Sequence, residues 1–359
     1  MGYLIDREKY KSAYIALYAL LKKDIVDNIY PYGSKLPSKR MLAAETGLSV
    51  ITVKNAYELL CEEGYVESVE RSGYYVIFKS EDGFVQTGQV QLHSRIATGQ
   101  ELTFPYSVLA RTMRRVMSDY QEDILDASPN CGREELREAI RVYLARNRDI
   151  HVDLNQIIIG SGAEYLYNMI VGILGNEAIY ALESPSYEKI EKIYRTAGVT
   201  CDMLPLGADG IQSEALAKTD ATVMHVSPYR SYPTGIKASA SKRFEYIRWA
   251  KRPGHYLVED DYESEFSVSN KPEETLFALS KDDNVIYINT FSKTISPSLR
   301  MGYMVLPKHL VERYEQRLGF YSCTVPTFEQ LVIASLITNG DFERHINRVR
   351  RDKRRKSMT

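Results

Sequence analysis

Apolar positions follow two different spacings along the chain. Near the N-terminus they recur every three or four residues, which predicts a helix from about Tyr10 to Ile29, ended by Pro31 and Gly33. From residue 156 onward, short β-branched runs alternate with helical patterns. The chain therefore begins with a helical segment and continues as an alternating α/β segment.

Two shorter helices follow the first. Ser38 is placed to cap a helix from Lys39 to Glu45, Gly47 makes a turn, and Ser49 is placed to cap a helix from Val50 to about Glu63. The buried face of the last helix is predicted to consist of Val53, Ala56, Tyr57 and Leu60. Two short helices joined by a glycine-containing turn are typical of a helix-turn-helix.

Two strands complete this first segment, Tyr65–Val69 and Tyr74–Phe78, on either side of a short turn. Helices followed by a hairpin predict a winged helix-turn-helix over residues 1–78. The patterns L-P-S-x-R-x-L-A at Leu36–Ala43 and S-x-x-T-V-x-x-A-x-x-x-L at Ser49–Leu60 resemble those of the GntR family of bacterial transcription regulators.

This resemblance implies that the segment binds double-stranded DNA, holding phosphates or reading bases. The residues expected to do so are Lys35, Ser38, Arg40, Ser49, Thr52 and Lys54, with Arg71, Ser72 and Gly73 at the tip of the wing. Two positions depart from the family pattern, because Val50 stands where arginine is common and Arg71 where glycine is favoured. The alternative is a winged helix that binds another protein.

Composition adds limits. The 359 residues carry a net charge of -1 with 44% hydrophobic residues, so any nucleic-acid surface must be local. Residues 1–78 carry no net charge, with 10 Lys/Arg and 10 Asp/Glu. Within residues 35–55, however, there are four cationic residues and a single acidic one, Glu45. The four cysteines form no CxxC pair, and no signal pattern or membrane-length apolar run is present. We therefore expect a cytoplasmic protein without a metal site.

Residues 79–100 are rich in Gly, Gln, Ser and Thr and predict a flexible linker. The large segment, 101–359, predicts a mainly parallel α/β sheet. Its strand candidates are Gln156–Ile159, Ala178–Leu182, Val223–Val226, Tyr256–Val258 and Val285–Ile288.

Each of these strands is followed by a loop that could contribute to a ligand site. The loops are Gly160–Glu164, Glu183–Tyr187, Ser227–Gly235, Glu259–Tyr262 and Thr290–Tyr303. Open α/β sheets bind ligands at the carboxyl ends of their strands. Each loop by itself is an ordinary helix start, strand end or turn, but five in this order predict one pocket.

The residue types in the loops suggest a phosphorylated aldehyde cofactor. Lys293 offers an amine for an imine, and Arg300 offers a fixed-charge fork for a phosphate. Small residues opening a helix at Ser161–Ala163 leave N–H groups for the same phosphate. A buried carboxylate after residue 258 could keep a pyridine nitrogen protonated. The simpler interpretation of Lys293 and Arg300 is a pair of surface residues in a turn.

Residues 101–359 resemble the fold type I aminotransferases and, within them, the aminotransferase-like part of MocR-type regulators. The matching segments are E-D-D-Y-E-S-E-F at Glu259–Phe266, T-F-S-K-T-I-S-P-S-L-R-M-G-Y at Thr290–Tyr303, Y-P-T-G at Tyr232–Gly235, and G-x-x-x-L-R at Gly132–Arg137. A GntR-like head followed by this body is the MocR arrangement, so the resemblance spans the whole chain.

The resemblance implies pyridoxal 5'-phosphate as cofactor. Lys293 would form the internal aldimine, Asp260 would pair with the pyridine nitrogen, and Tyr262 would hydrogen-bond the ring hydroxyl. The remaining cofactor contacts implied are Tyr187 on the ring, Tyr232 in the Y-P-T-G turn, and Ser161, Gly162, Ala163, Ser292 and Arg300 at the phosphate. Arg230-Ser231 stand where many relatives carry His-Gln.

The family continues for roughly a hundred residues as a small domain, which supplies an arginine for a substrate carboxylate, so we expect residues 101–359 to be an incomplete body. The basic stretch 344–356 is then a solvated helix face, with nucleic-acid contact as a second choice.

The function expected is a homodimeric, DNA-binding transcription regulator that senses pyridoxal phosphate or an amino compound by aldimine formation. One alternative is an aminotransferase with an accessory head. Another is a body that binds the cofactor poorly and exposes apolar surface.

Overall fold

The computed structural model of the protein describes residues 12–69, 72–78, 104–261, 263–267 and 274–357. The chain divides into two compact units. The first contains residues 1–101 and 105–115, and the second contains residues 102–104 and 116–359. The predicted linker, 79–100, lies outside the described residues.

The first unit is a winged helix-turn-helix, as the sequence predicts. Its elements are α1 Ala13–Val26, α2 Lys39–Thr46, α3 Val50–Glu62, β1 Val66–Val69 and β2 Gly73–Val76. The two strands form an antiparallel hairpin, with Val66 paired to Val76. The wing is therefore the hairpin formed by β1 and β2.

Local capping explains where these helices begin and end. The hydroxyls of Ser38 and Ser49 accept hydrogen bonds from the backbone N–H groups of Met41 and Thr52, which confirms both predicted caps. The first helix is shorter than the apolar spacing predicts and ends at Val26. Asn28 adopts a left-handed conformation with φ 60°, which breaks the helix before Ile29.

The predicted buried face of α3 forms the centre of the first unit's core. Val53, Ala56, Tyr57 and Leu60 are all fully buried. The Tyr57 hydroxyl donates to the Pro37 carbonyl at 2.7 Å, and its ring packs edge-on against Tyr74 at 4.8 Å. These contacts join α3 to the segment before α2 and to the wing.

The second unit combines helices with one sheet. The helices from here to the end of the described chain are α4 Tyr106–Tyr120, α5 Glu134–Arg148, α6 Ala163–Leu174, α7 Glu188–Thr196, α8 Ser213–Lys218, α9 Ala240–Ala250, α10 Leu276–Leu279, α11 Lys308–Leu318, α12 Thr327–Thr338 and α13 Asp341–Ser357, and the division between the two units falls within α4. The strands are β3 Ile157–Gly160, β4 Ile179–Ser184, β5 Thr200–Gly207, β6 Gly210–Ile211, β7 Val223–Val226, β8 Tyr256–Asp260, β9 Val285–Thr290 and β10 Gly302–Val305.

The strands form one sheet in the order β3-β10-β9-β8-β7-β4-β5-β6. All of its pairings from β9 to β5 are parallel, which confirms the predicted sheet type. The five predicted strands are present with ends shifted by at most two residues. Three strands were not predicted from the sequence, namely β5, β6 and β10, of which β6 and β10 run antiparallel to their neighbours.

Helices cover both faces of the sheet. Consecutive strand residues point to opposite sides, so an apolar strand presents hydrophobic side chains to both layers of helices. On one face Ile286 and Ile288 of β9 pack with Leu166 of α6. On the other face Val285 packs with Trp249 of α9. The strands from β3 to β7 in the sheet order are thus almost entirely buried, as the strands of parallel sheets usually are, whereas β5 is partly exposed.

Within the described ranges, no helix is both long enough and apolar enough to cross a bilayer.

Candidate functional site

The first unit exposes most of the side chains expected to contact DNA. The exposed members are Lys35, Ser38, Arg40, Ser49 and Lys54. Thr52 is half-buried, and its hydroxyl lies 2.8 Å from the Ser49 hydroxyl at the start of α3. The Lys54 ammonium lies 3.4 Å from the Glu58 carboxylate one turn later. Arg71 lies outside the described residues.

The wing is braced from the segment before α2. Lys35 forms a backbone bridge with Tyr75 of β2, and its ammonium lies 5.8 Å from the centre of that ring. Gly73 opens β2 with φ +133°, and a β-carbon there would come within 2.9 Å of the Lys35 side chain. Gly73 therefore gives Lys35 room beside the wing.

In the second unit, the five loops singled out from the sequence follow strands that run in the same direction. β4, β7, β8 and β9 are mutually parallel, and β10 pairs antiparallel with both β9 and β3, so β3 points the same way. Their carboxyl ends therefore share one edge of the sheet, where ligands of open α/β sheets bind.

The start of α6 lies against Arg300. Gly162 is buried with φ 91°, and a β-carbon there would sit 3.7 Å from both the Arg300 guanidinium and its carbonyl oxygen. Glu164 holds Arg300 at 3.1 Å and Lys189 at 2.6 Å. The hydrogen bond from Lys189, with Arg300 adding its charge, lowers the pKa of Glu164. The N-terminus of α6 and Arg300 thus combine an N–H-rich helix end with a guanidinium.

Asp260, at the end of β8, is buried beneath the same helix. The Tyr167 hydroxyl, on α6, donates to Asp260 Oδ2 at 2.5 Å. His225 Nε2 lies 3.6 Å from that same oxygen, and His225 Nδ1 lies 2.8 Å from the Tyr194 hydroxyl. Tyr167 follows Ala163 by four residues, which corresponds to about 6 Å along the axis of α6. One helix therefore reaches both the Arg300 end and the Asp260 end of the site.

Lys293 lies in a closed loop between β9 and β10. The Phe291 N–H donates to the Met301 carbonyl at 2.9 Å, which closes the base of that loop. The Lys293 side chain is 40% exposed, and its ammonium lies 3.4 Å from Glu263 Oε1. Glu263 comes three residues after Asp260, so this ion pair brings the amine to the loop that carries the buried carboxylate.

Two tyrosines flank the site. The rings of Tyr187 and Tyr232 lie 5.8 Å apart, nearly perpendicular, and both side chains are substantially exposed. The loops that carry them are joined underneath, where the Ser231 hydroxyl donates to Glu183 Oε2 at 2.7 Å. Ring faces are thus available at the mouth of the site.

We expect Glu183 to make this junction sensitive to pH. Burial raises the pKa of Glu183 to about 7, with the Asp260 charge raising it and hydrogen bonds from Ser231 and Ser227 opposing the rise. In the unfolded chain the pKa of a glutamate is about 4.3. Because folding raises the pKa of Glu183, its protonated form stabilises the folded state. This stabilisation is complete below the unfolded pKa and is lost as the pH rises through about 7.

Glu183→Gln keeps an acceptor for Ser231 and removes the titration. The free energy of unfolding of the variant minus that of wild type should therefore increase from pH 5 to pH 8. Urea unfolding followed by the fluorescence of Trp249, the single tryptophan of the chain, measures this. The same wild-type-to-variant difference at both pH values would contradict it.

The structure brings together most of the predicted cofactor residues and adds others. Ser161 and Ala163 flank Gly162 at the start of α6, and Ser292 immediately precedes Lys293. Tyr262 lies outside the described residues. Four residues of the site were not predicted from the sequence: Tyr167, His225, Glu164 and Glu263. Only Tyr167 could have been found there, because it lies about one helical turn after Ala163 and so on the same face of α6. Across the described residues, no group of three or more His, Cys, Asp or Glu side chains could hold a metal ion.

Comparison with known proteins accounts for both units. Residues 13–76 match the family described as bacterial regulatory proteins, gntR family. Residues 97–359 match aminotransferase class I and II. The second match covers well over half of the chain.

Curated proteins named as HTH-type or catabolism regulators match nearly the whole length of this chain. The uncharacterized HTH-type transcriptional regulator YdeL of Bacillus subtilis (strain 168) is 30% identical over 356 residues, which cover 96% of this chain and 77% of that protein. The probable rhizopine catabolism regulatory protein MocR of Rhizobium meliloti is 28% identical, over 97% of this chain and 76% of that protein.

Solved structures match the second unit. LysN, the alpha-aminoadipate aminotransferase of Thermus thermophilus, solved in complex with N-(5'-phosphopyridoxyl)-L-leucine, is 25% identical with a TM-score of 0.61. That match covers 69% of this chain and 64% of that one, so the chain spans less than two thirds of the solved enzyme's length. The chain belongs to the MocR type of HTH-type, DNA-binding transcription regulators, in which a GntR-family domain precedes an aminotransferase class I and II domain.

Proposed function

We propose that this regulator binds pyridoxal 5'-phosphate in its second unit and responds there to the cofactor itself or to an amino compound. The observation that carries the proposal is the double contact of α6. Its first turn lies against Arg300, and Tyr167, one turn further, donates to Asp260. A phosphate group and a ring nitrogen, at opposite ends of one small molecule, need these two partners.

The phosphate end is supported by the start of α6. N–H groups that open a helix and the positive end of its dipole favour an anion. Arg300 adds a guanidinium, which binds phosphate through paired N–H donors. Ser161 and Ser292 would add hydroxyls to this cradle. Glu164 occupies one side of Arg300, and orients it without using all five of its donors.

The ring end is supported by the surroundings of Asp260. A buried carboxylate that already accepts one hydrogen bond from Tyr167 keeps lone pairs for a protonated ring nitrogen. His225 Nε2 lies 3.6 Å from the same oxygen of Asp260, and the other ring nitrogen of His225 is hydrogen-bonded to Tyr194. Both residues are buried, which keeps water away from this side of the carboxylate. Tyr187 and Tyr232 would contact the ring, and Tyr262 its hydroxyl.

Lys293 would supply the amine that anchors the cofactor. When bound, the cofactor supplies an aldehyde that reacts reversibly with primary amines. An amino compound can therefore compete with Lys293 for it. Such an exchange changes the charge at Lys293 and its contact with Glu263, which could shift the conformational equilibrium of the regulator.

The test is a visible spectrum of the purified protein with and without added pyridoxal phosphate, followed by amino compounds. A new absorbance that shifts with an amine, without formation of a keto acid, supports a sensor. Sustained keto-acid formation would instead support an aminotransferase that carries a DNA-binding head. No new absorbance would refute the proposal.

For the DNA-binding unit, we propose that Thr52 and Lys54 of α3 contact the operator. Thr52→Ala with Lys54→Ala should weaken binding about tenfold or more and reduce the dependence of log affinity on log salt by about one. The cap from Ser49 to the α3 backbone stays in place, so the fold should not change. Fluorescence anisotropy with DNA from upstream of the gene measures both quantities.

The matched control is Lys23→Ala, which removes an exposed lysine of α1. It changes the net charge as Lys54→Ala does, but should leave the affinity and its salt dependence nearly unaltered. Equal weakening by both variants would mean that α3 has no special role. We further propose a homodimer, because two winged helices suit an operator with two half-sites.

A further inference from the structure

Glu263 is shared by two cations at the mouth of the site. Its Oε1 lies 3.4 Å from the Lys293 ammonium, and its Oε2 accepts a hydrogen bond from Arg230 Nη1. The Glu263 side chain is only 10% exposed, whereas the Arg230 side chain is 57% exposed. One nearly buried carboxylate therefore bridges the proposed cofactor amine and a guanidinium that faces solvent.

The geometry makes Glu263 resemble a bound carboxylate. A guanidinium has five N–H donors in a planar fork, and the Glu263 bond uses one nitrogen of Arg230. A carboxylate that met the fork with both oxygens would bind more tightly than this single contact. Because Glu263 touches both cations, Arg230 also lies within the span of one small molecule from the Lys293 amine.

The exposure of Arg230 favours an approach of an anion from solvent. Its side chain is 57% exposed, so an incoming carboxylate could reach the N–H donors that the bond to Glu263 does not use.

We propose that Arg230 is the site for the carboxylate of an amino acid effector, and that Glu263 occupies this site until the effector displaces it. The effector's amine would then lie close to Lys293, where the proposed exchange takes place. This inference rests on the proposed function and narrows its amino compound to one that carries a carboxylate. Glu263 is a positioning residue, because it holds the Arg230 and Lys293 side chains in place before an effector binds.

The experiment compares each common L-amino acid with the amine that its decarboxylation gives. Both are titrated into the protein loaded with pyridoxal phosphate, and the absorbance shift gives the concentration for half-saturation. Wild type should respond to at least one amino acid at lower concentration than to its amine. Arg230→Gln should raise the amino acid concentration at least about tenfold, as expected for a lost charged hydrogen bond, and should change the amine concentration by a much smaller factor.

Two further variants separate recognition from a general structural role. Arg230→Lys keeps the charge without the fork and should restore only part of the amino acid preference. Glu263→Gln removes the internal competitor, so the amino acid should bind at lower concentration than in wild type. A structural role alone would instead make both variants weaken amino acid and amine equally.

The outcomes distinguish this inference from the proposed function. A wild-type protein that gives no absorbance with pyridoxal phosphate refutes both. If wild type responds to amines but never prefers an amino acid, only the assignment of Arg230 falls. It also falls if Arg230→Gln shifts amino acid and amine by the same factor.

Discussion

Replacing Lys293 by alanine is expected to abolish the visible absorbance that pyridoxal phosphate gives with the purified regulator. The absorbance depends on covalent attachment to an amine, and alanine offers none. The phosphate contacts at α6 and Arg300 and the Asp260 contact remain, so the variant should still bind some cofactor without covalent attachment. Absorbance spectra across a cofactor titration, before and after desalting, measure the two effects separately.

The control for this prediction is Lys192→Ala. Lys192 is exposed on α7, where it pairs with Glu188 one turn away, and should not affect the absorbance. Operator binding by the first unit should remain measurable in both variants. If the absorbance survives in Lys293→Ala, another lysine holds the cofactor and our assignment of the site is wrong.

The second large effect is expected for Arg148→Met, at a buried ion cluster behind the site. The Arg148 side chain is 2% exposed and lies 3.1 Å from Asp261 Oδ2 and 3.7 Å from Glu265 Oε1. Asp261 directly follows Asp260, and its oxygen also accepts from the Tyr287 hydroxyl. Methionine would leave two buried carboxylates without their cation, which should lower the free energy of unfolding by about 3–5 kcal/mol.

The loss should depend on pH. Burial raises the pKa of Glu265, the charge of Asp261 raises it further, and Arg148 holds it down. Without Arg148 the protonated form of Glu265 is favoured further. By linkage, the destabilisation should therefore grow as the pH rises through the physiological range. Urea unfolding followed by Trp249 fluorescence at several pH values reports on the second unit, where Trp249 is buried.

Two comparisons test the cause. Arg141→Met removes an arginine whose ion pair with Glu138 is exposed, and should leave the unfolding midpoint nearly unchanged. Adding Asp261→Asn and Glu265→Gln to Arg148→Met removes the unpaired charges and should restore part of the lost stability. If it restores nothing, the damage comes from lost packing and not from uncompensated charge.

Much of the fold could be predicted from the sequence because its signals are local. Ser38 and Ser49 cap the helices that follow them, and the apolar spacing of α3 identified its buried face correctly. The strands β4, β7, β8 and β9 are short and β-branched or fully buried, so their apolar runs stand out. β5 is partly exposed and contains Pro205, and β10 begins inside Thr290–Tyr303, which was predicted to be a loop, so neither strand was recognised in the sequence.

Sequence alone determined the order of the elements that carry the chemistry: a winged helix, then five polar segments at strand ends, with Asp260 in one of them and Lys293 and Arg300 together in another. Only the tertiary structure decided which side chains meet, such as Tyr167 with Asp260, Arg230 with Glu263, and Arg148 with Asp261. Capping and periodicity act between neighbours along the chain, whereas these contacts join residues 33 to 113 positions apart. They depend on the order and direction of strands in the sheet, which no local pattern specifies.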